Sequence, residues 1–110
     1  MNYCFNNCTK LTQISIPSFI FNIGDYAFNN CQLLAKISIP SSVVSIGNSA
    51  FYGCQSLTNI SIPSSVISIG CFAFFGCSSL SQIFNWINKL LNFYLFYSIL
   101  STHYSFKTKI

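Results

Sequence analysis

The chain has 110 residues, enough for one domain, and 52% of them are hydrophobic while only 5% are charged. The net charge is +4, but the five lysines are scattered and no arginine occurs, which excludes the basic stripe that nucleic-acid binding needs. Asp25 is the one acidic residue, and this excludes the paired carboxylates of general acid–base catalysis.

A period of 23 residues organises most of the chain. Two consecutive units, 34–56 and 57–79, are identical at 16 of 23 positions. Such a period is typical of a solenoid, whose units cannot bury their apolar sides alone and stack into one continuous core. The period links residues of one type in six series: Phe5, Phe28, Phe51 and Phe74; Cys8, Cys31, Cys54 and Cys77; Leu11, Leu34, Leu57 and Leu80; Ile14, Ile37, Ile60 and Ile83; Pro17, Pro40 and Pro63; Gly24, Gly47 and Gly70.

The chain opens with an incomplete unit, because residues 4–8 align with residues 27–31 of the next unit. This opening contains neither a basic region nor an apolar segment, so no signal peptide is predicted. The expected organisation is a solenoid at 1–83, made of a stub at 1–10, units at 11–33, 34–56 and 57–79 and a partial unit from 80, followed by a divergent tail at 84–110.

Each full unit begins with a predicted strand. The pattern L-x-x-I-x-I ends in a period-2 alternation, which places Ile14 and Ile16 inside the coil and Ser15 outside. Pro17 follows and cannot donate a ladder hydrogen bond, so the strand is expected to end there.

The rest of the unit is predicted to return across a second wall and a turn. Val43 and Ile46 point inward on that wall, and Gly47 is expected to adopt a positive φ at the corner. Ala50 and Phe51 then begin a helical or 3₁₀ turn whose phenylalanine fills the core. At about 4.8 Å per coil the strands pair in parallel. The predicted fold is an α/β-type repeat solenoid, a right-handed coil of about three and a half repeats with a parallel strand ribbon on one face.

The segments ISIPSSV, SIG and AF, with the recurring cysteine, resemble the BspA-like leucine-rich repeats over roughly residues 4–83. That family occurs in bacterial surface proteins and in large sets of protozoan surface proteins. The resemblance implies a leucine-rich-repeat coil and an extracellular or cell-surface role in binding proteins or surfaces. It brings no catalytic residue, because the family motif contains none.

The tail at 84–110 has lost the repeat spacing, since Asn85 stands where the second strand isoleucine belongs. Its strongest apolar run, 90–100, is about half of the roughly 20 residues that span a bilayer. Apolar residues near a helical period favour a helix folded over the last coil. A membrane span and a disordered or misassembled tail are the alternatives.

The cysteines are interpreted as structural. Parallel Cβ vectors on neighbouring coils disfavour disulfides, and a 23-residue spacing does not converge on a zinc site. Cys4 replaces the repeat alanine and is expected in the core, whereas Cys71 occupies a variable position and is the best candidate for an exposed, reactive thiol. One cysteine per coil belongs to a predicted ladder of buried thiols: Cys8, Cys31, Cys54 and Cys77.

No other residue set indicates a catalytic, metal or cofactor site. His103 lies in the tail and Asp25 at a variable repeat position, so no Ser–His–Asp arrangement is expected. Two N-x-[ST] sequons begin at Asn7 and Asn59 and would be glycan acceptors if the chain were secreted. A glycan on Asn59 would block the outward side of the strands.

The outward side of the strands is the candidate partner-binding surface, because solenoids commonly bind through such faces. The alternative interpretation is that small polar residues only keep an exposed sheet soluble, since aromatic and arginine anchors are missing. A flanking column contains Thr12, Ala35, Thr58 and Ser81. The candidate residues, named the strand face from here on, are Gln13, Ser15, Lys36, Ser38, Asn59, Ser61 and Gln82.

These observations favour a non-enzymatic module for protein–protein or cell-surface recognition and adhesion, with an unknown protein or surface ligand and no cofactor. Two alternatives stay open. One is a truncated or decayed repeat fragment without independent activity. The other is a tail-anchored membrane protein that contacts the membrane through residues 84–110. Self-association through the open ends of the solenoid is a further expectation, and nucleic acid is not an expected partner.

Overall fold

The computed structural model describes residues 2–80 and 82–84, with side chains placed up to residue 80. This part of the chain forms a coil with two walls of short parallel strands and a third wall of turns. The solenoid that the 23-residue period predicted is therefore confirmed. The strands are β1 (Gln13–Ser15), β2 (Asn22–Ile23), β3 (Lys36–Ser38), β4 (Ser45–Ile46), β5 (Asn59–Ser61), β6 (Ser68–Ile69) and β7 (Gln82–Phe84).

Strand pairing joins residues one unit apart. On the first wall β1 pairs with β3 and β5 pairs with β7, with Ile14 opposite Ile37 and Ile60 opposite Ile83. On the second wall β2, β4 and β6 form one parallel sheet. The first wall thus consists of two neighbouring two-stranded sheets with β3 beside β5, and together they form the predicted ribbon of parallel strands on one face.

The strands of the first wall follow the predicted alternation. In β5, Ile60 is buried between the exposed residues Asn59 and Ser61. The strand ends before Pro63, whose carbonyl accepts a hydrogen bond from the Val66 N–H at 3.1 Å. The proline therefore closes the strand and begins the turn to the second wall, as its missing N–H requires.

The third wall, named the turn wall, comprises residues 24–31, 47–54 and 70–77. The helical or 3₁₀ turn expected at Ala50–Phe51 is replaced here by a run of single turns. The Tyr52 N–H donates to the Ser49 carbonyl of its own turn at 3.2 Å, but the Phe51 N–H donates to Ala73 of the next coil at 2.8 Å. Since alternate amides bond between coils, the i→i−4 series of a helix does not form.

The core is organised around one phenylalanine per coil. The rings of Phe28, Phe51 and Phe74 are fully buried. Phe51 stacks on Phe28 at a centroid distance of 5.3 Å and on Phe74 at 5.5 Å, with interplanar angles of 3° and 1°. Phe5 continues the stack at 5.2 Å from Phe28. The turn wall therefore supplies the largest side chains of the core, as the repeat predicted.

Gly47 does not adopt the positive φ that the sequence predicted. In its coil the positive values lie at Ser49, with φ 54°, and at Gly53, with φ 75°. The glycine at 47 is needed for close approach instead, because a Cβ there would lie 2.6 Å from the backbone nitrogen of Asp25. The invariant glycine of the repeat marks a packing contact between coils.

Two expectations for the tail fall on residues 85–110, outside the described residues. These are the helix over the last coil and the membrane span. Strand β7 runs to Phe84, which pairs with Ser61 and lies one residue into the segment set apart as tail. In the part of the chain that the structure describes, no helix has the length and apolar character to cross a membrane.

Candidate functional site

The strand face is exposed and in register. The side chains of Gln13, Ser15, Lys36 and Ser38 all point to solvent. The pairing of β1 with β3 sets Gln13 beside Lys36 and Ser15 beside Ser38. In the neighbouring sheet Asn59 and Ser61 are exposed, and the backbone of Gln82 pairs with Asn59. The structure thus brings the predicted residues together on one wall.

Two shallow depressions mark this wall. One, of about 480 Å³, runs between β1 and β3. The other, of about 430 Å³, lies where β3 meets β5, with Ser38, Ser41, Ser61 and Pro63 in its lining. Among the described strand-face residues Lys36 alone is charged, so the wall presents hydroxyl and amide groups with one cation. Such a surface forms hydrogen bonds with a partner and contributes little apolar burial.

The cysteine ladder is buried from the second coil onward. Cys31, Cys54 and Cys77 are fully buried, whereas Cys8 in the opening stub is half-buried. Each buried thiol donates to the phenylalanine carbonyl 26 residues earlier, for example Cys31 to Phe5 at 3.0 Å. These cysteines satisfy backbone carbonyls inside the core, which supports the structural interpretation.

The environment of the ladder disfavours thiolate formation. Burial and the neighbouring Cys54 thiol raise the pKa of Cys31 to about 12. Hydrogen bonding to the Cys77 thiol, together with burial, raises the pKa of Cys54 above its usual value. Both thiols are therefore protonated at neutral pH and are poor nucleophiles.

Cys4 is exposed, so its predicted place in the core is wrong. The equivalent residues of the following coils, Ala27 and Ala50, are fully buried. Cys71 is exposed as predicted. Of the two sequon asparagines, Asn59 lies open on β5, whereas Asn7 accepts a hydrogen bond from the Asn30 amide at 3.2 Å. Within residues 2–80, no group of three side chains is arranged to hold a metal ion.

One series of hydrogen bonds between coils was not predicted from the sequence, because its residues differ from coil to coil. Asn2 Oδ1 accepts from the Asp25 N–H, Asp25 Oδ1 from the Asn48 N–H, and Asn48 Oδ1 from the Cys71 N–H, at 2.8–2.9 Å. We name this series the Asx staircase. It ends at Cys71, which has no side-chain oxygen. The recurrence of Asp or Asn after the glycine was the signal available in the sequence.

A second surface was also missed. An open groove of about 510 Å³ crosses the turn wall, and we name it the aromatic groove. Its residues come from three coils at positions that vary between units, so no single unit of the sequence contains the pattern. The sequence did contain a signal for this groove, namely aromatic residues at equivalent positions of different coils. These are the pairs Tyr26/Phe72 and Tyr52/Phe75. The groove is lined by Tyr26, Asn29, Asn30, Ser49, Tyr52, Phe72 and Phe75.

Comparison with known proteins agrees with this architecture. A model of the BspA type leucine rich repeat region (6 copies) matches residues 1–109. The match therefore extends over residues 84–109, where no repeat spacing was found. No curated protein matches the sequence.

Solved structures with the same fold include three leucine-rich repeat relatives. A leucine rich cell surface protein from Faecalibacterium prausnitzii is 38% identical with a TM-score of 0.70, over 73% of this chain and 21% of that protein. The pneumococcal vaccine antigen PcpA is 31% identical with a TM-score of 0.72, over 79% and 22%. A Leucine Rich Repeat protein of T. pallidum is 26% identical with a TM-score of 0.56, over 81% and 58%. The chain spans about a fifth of the first two proteins.

Proposed function

This chain belongs to the BspA-type leucine-rich-repeat family, and from that premise we propose that it is a non-enzymatic module that recognises a protein through its strand face. The observation that carries the proposal is the exposure and register of that face. Gln13, Lys36 and Asn59 recur at one-unit intervals on this wall. Of the inward residues beside them, Ile60 is buried, and Ile14 and Ile37 are half-buried against the core. A polar array held by a rigid coil needs little ordering when it binds.

The proposal includes a cell-surface location and an adhesive role. Its support is the similarity to the F. prausnitzii relative, which is a leucine rich cell surface protein. The chemistry of the strand face argues for a polar, hydrated interface, because hydroxyl and amide groups bind partners directly and through bridging water. Because no aromatic or arginine side chain is present among the strand-face residues from Gln13 to Ser61, we expect modest affinity for one copy of the module.

Charge reversal on the strand face tests the proposal. The variant Lys36→Glu/Asn59→Glu and the matched control Lys10→Glu/Ser68→Glu each change the net charge by the same amount, at exposed positions on and off the face. Both, with the wild type, are immobilised and exposed to a panel of purified extracellular-matrix and cell-surface proteins in an interferometry assay. We expect the wild type to bind at least one protein of the panel. The strand-face variant is expected to bind it roughly tenfold or more weakly, and the control variant is expected to bind it as the wild type does.

Equal loss in both variants would show that binding follows net charge and not this face. Absence of binding to every protein by the folded wild type would contradict the recognition role. That result would favour the repeat fragment without independent activity.

A further inference from the structure

The aromatic groove arises from one substitution in an otherwise aromatic column. Equivalent positions of successive coils hold Tyr3, Tyr26, Ser49 and Phe72, all at φ between 54° and 59°. Tyr3 and Tyr26 stack at 5.0 Å with an interplanar angle of 11°. Ser49 breaks the column because it carries no ring, and it lies in the lining of the open groove between the aromatic side chains.

Aromatic rings bound this gap on several sides. One face of Tyr26 is covered by Tyr3, and the other is turned toward the coil of Ser49. On the far side Phe72 and Phe75 meet edge to face at 5.7 Å and 85°, and Tyr52 stacks on Phe75 at 5.2 Å. Tyr26 and Phe72 are two coils apart, or about 10 Å, so a group midway lies within the roughly 6 Å reach of a cation–π contact from both rings.

The asparagine amides at the polar corner of the groove are held by the neighbouring coils. Asn29 Nδ2 donates to Asn6 Oδ1 at 2.9 Å, and Asn30 Nδ2 donates to Asn7 Oδ1 at 3.2 Å. These bonds direct one N–H of each amide toward the preceding coil. Oδ1 of Asn30 faces Gly53 in the following coil, 2.5 Å from the place where a Cβ would be. The asparagine ladder stops there because Tyr52 and Gly53 replace its next members.

We propose that the aromatic groove binds a basic side chain, arginine or lysine, presented by a partner protein. The basis is the electrostatic complementarity between a cation and aromatic rings. The faces of aromatic rings are electronegative and attract cations. Four aromatic side chains line the groove, and no lysine is among its lining residues. A cation in the gap is attracted by the quadrupoles of these rings, whereas a neutral planar group of the same shape gains no such attraction.

This inference deepens the proposed recognition role. It rests on that role in one respect, namely that the partner supplying the basic side chain is a protein. The groove lies on the turn wall and the strand face on the first wall, so each surface succeeds or fails separately.

The test is a titration of the full chain with acetyl-Gly-Arg-Gly-amide, followed by NMR. The matched probe has citrulline in place of arginine, which keeps the planar shape and removes the charge. We expect saturable upfield shifts of the arginine δ-methylene protons, caused by the ring currents, and at least about tenfold weaker binding of the citrulline peptide. Acetyl-Gly-Lys-Gly-amide is expected to bind as a second cation.

The variant Ser49→Tyr fills the gap with the side chain that its neighbour Tyr26 carries at nearly the same φ. It is expected to fold and to lose peptide binding by about tenfold or more. Ser68→Tyr adds the same ring at an exposed position of β6 and is expected to bind the peptide as the wild type does.

Equal binding of the arginine and citrulline peptides overturns the proposal, as does undiminished binding by Ser49→Tyr or the absence of saturable shifts in the wild type. The strand-face variant Lys36→Glu/Asn59→Glu is expected to bind the peptide normally. Normal peptide binding by this variant would show that the two surfaces act separately. A negative result in the protein-panel assay is then distinguishable from a negative result in the peptide titration.

Discussion

At the scale of single residues, the largest fully buried side chains are the phenylalanines of the stack. Phe51 is fully buried and lies between two parallel rings, so its removal leaves a cavity that neither neighbour fills. We predict that Phe51→Ala lowers the free energy of unfolding by about 3–5 kcal/mol, measured by urea denaturation. Phe19→Ala is the control, because that ring is 72% exposed, and its effect is expected to stay within about 0.5 kcal/mol. A loss below about 1 kcal/mol for Phe51→Ala would contradict the stack's role.

Residues were predictable from the sequence where their role repeats in every unit. The buried thiols and the phenylalanine stack follow from the 23-residue period, because one side-chain type recurs at one place. Gly47 and Cys4 were assigned incorrectly for different reasons. A glycine fits both a positive φ and a close contact, and only the packed coils show that the second applies. Cys4 occupies the repeat position of the buried residues Ala27 and Ala50 but is itself exposed, and exposure is a property of the packed coils that the repeat position does not contain.

At the scale of elements, the Asx staircase joins the turn wall through side-chain oxygens. Asn48 accepts from the Cys71 N–H, and we predict that Asn48→Ala lowers the free energy of unfolding by about 1 kcal/mol. Asn48→Asp is expected to retain most of the wild-type stability, because Asp25 makes the same contact one coil earlier. Urea denaturation of the three proteins at pH 7 measures the difference. Equal stability of Asn48→Ala and the wild type would show that solvent replaces the bond without cost.

The strands were predictable as elements, and the turn wall was not. The alternation around Ile60 and the proline after it describe a strand without reference to other coils. The turn wall has no such local signature, because half of its amides bond to the next coil. The aromatic groove has the same origin, since Tyr26, Ser49 and Phe72 meet only when three coils stack.

At the scale of the whole molecule, the buried thiols cause the free energy of unfolding to fall as the pH becomes alkaline. The pKa of Cys31 rises from 9.0 to about 12 on folding, and that of Cys54 rises as well. A raised pKa means that the folded state holds its proton more tightly. The stabilisation is therefore complete below pH 9 and is lost as pH rises from 9 toward 12.

We predict that the free energy of unfolding is constant from pH 7 to 8.5 and then falls by up to about 1.4 kcal/mol per pH unit for each such thiol. Urea denaturation in the presence of a reductant measures it. The matched variant Cys31→Ser keeps a donor for the Phe5 carbonyl but does not titrate in this range, so its slope is expected to be shallower. Identical slopes in the two proteins would exclude Cys31 as a source of the dependence.

The constant step between coils has a consequence for how such a chain can change in length. Three walls are bonded at once, through strand pairs, stacked rings and the Asx staircase, and the described strand pairs all join residues 23 apart. The 23-residue step therefore fixes which residues of neighbouring coils contact one another. A single inserted residue between β4 and the turn of its coil would displace either the strands or the rings from their partners. Insertion or deletion of a complete 23-residue segment leaves every remaining contact in phase, so we expect that viable length variants differ by whole units.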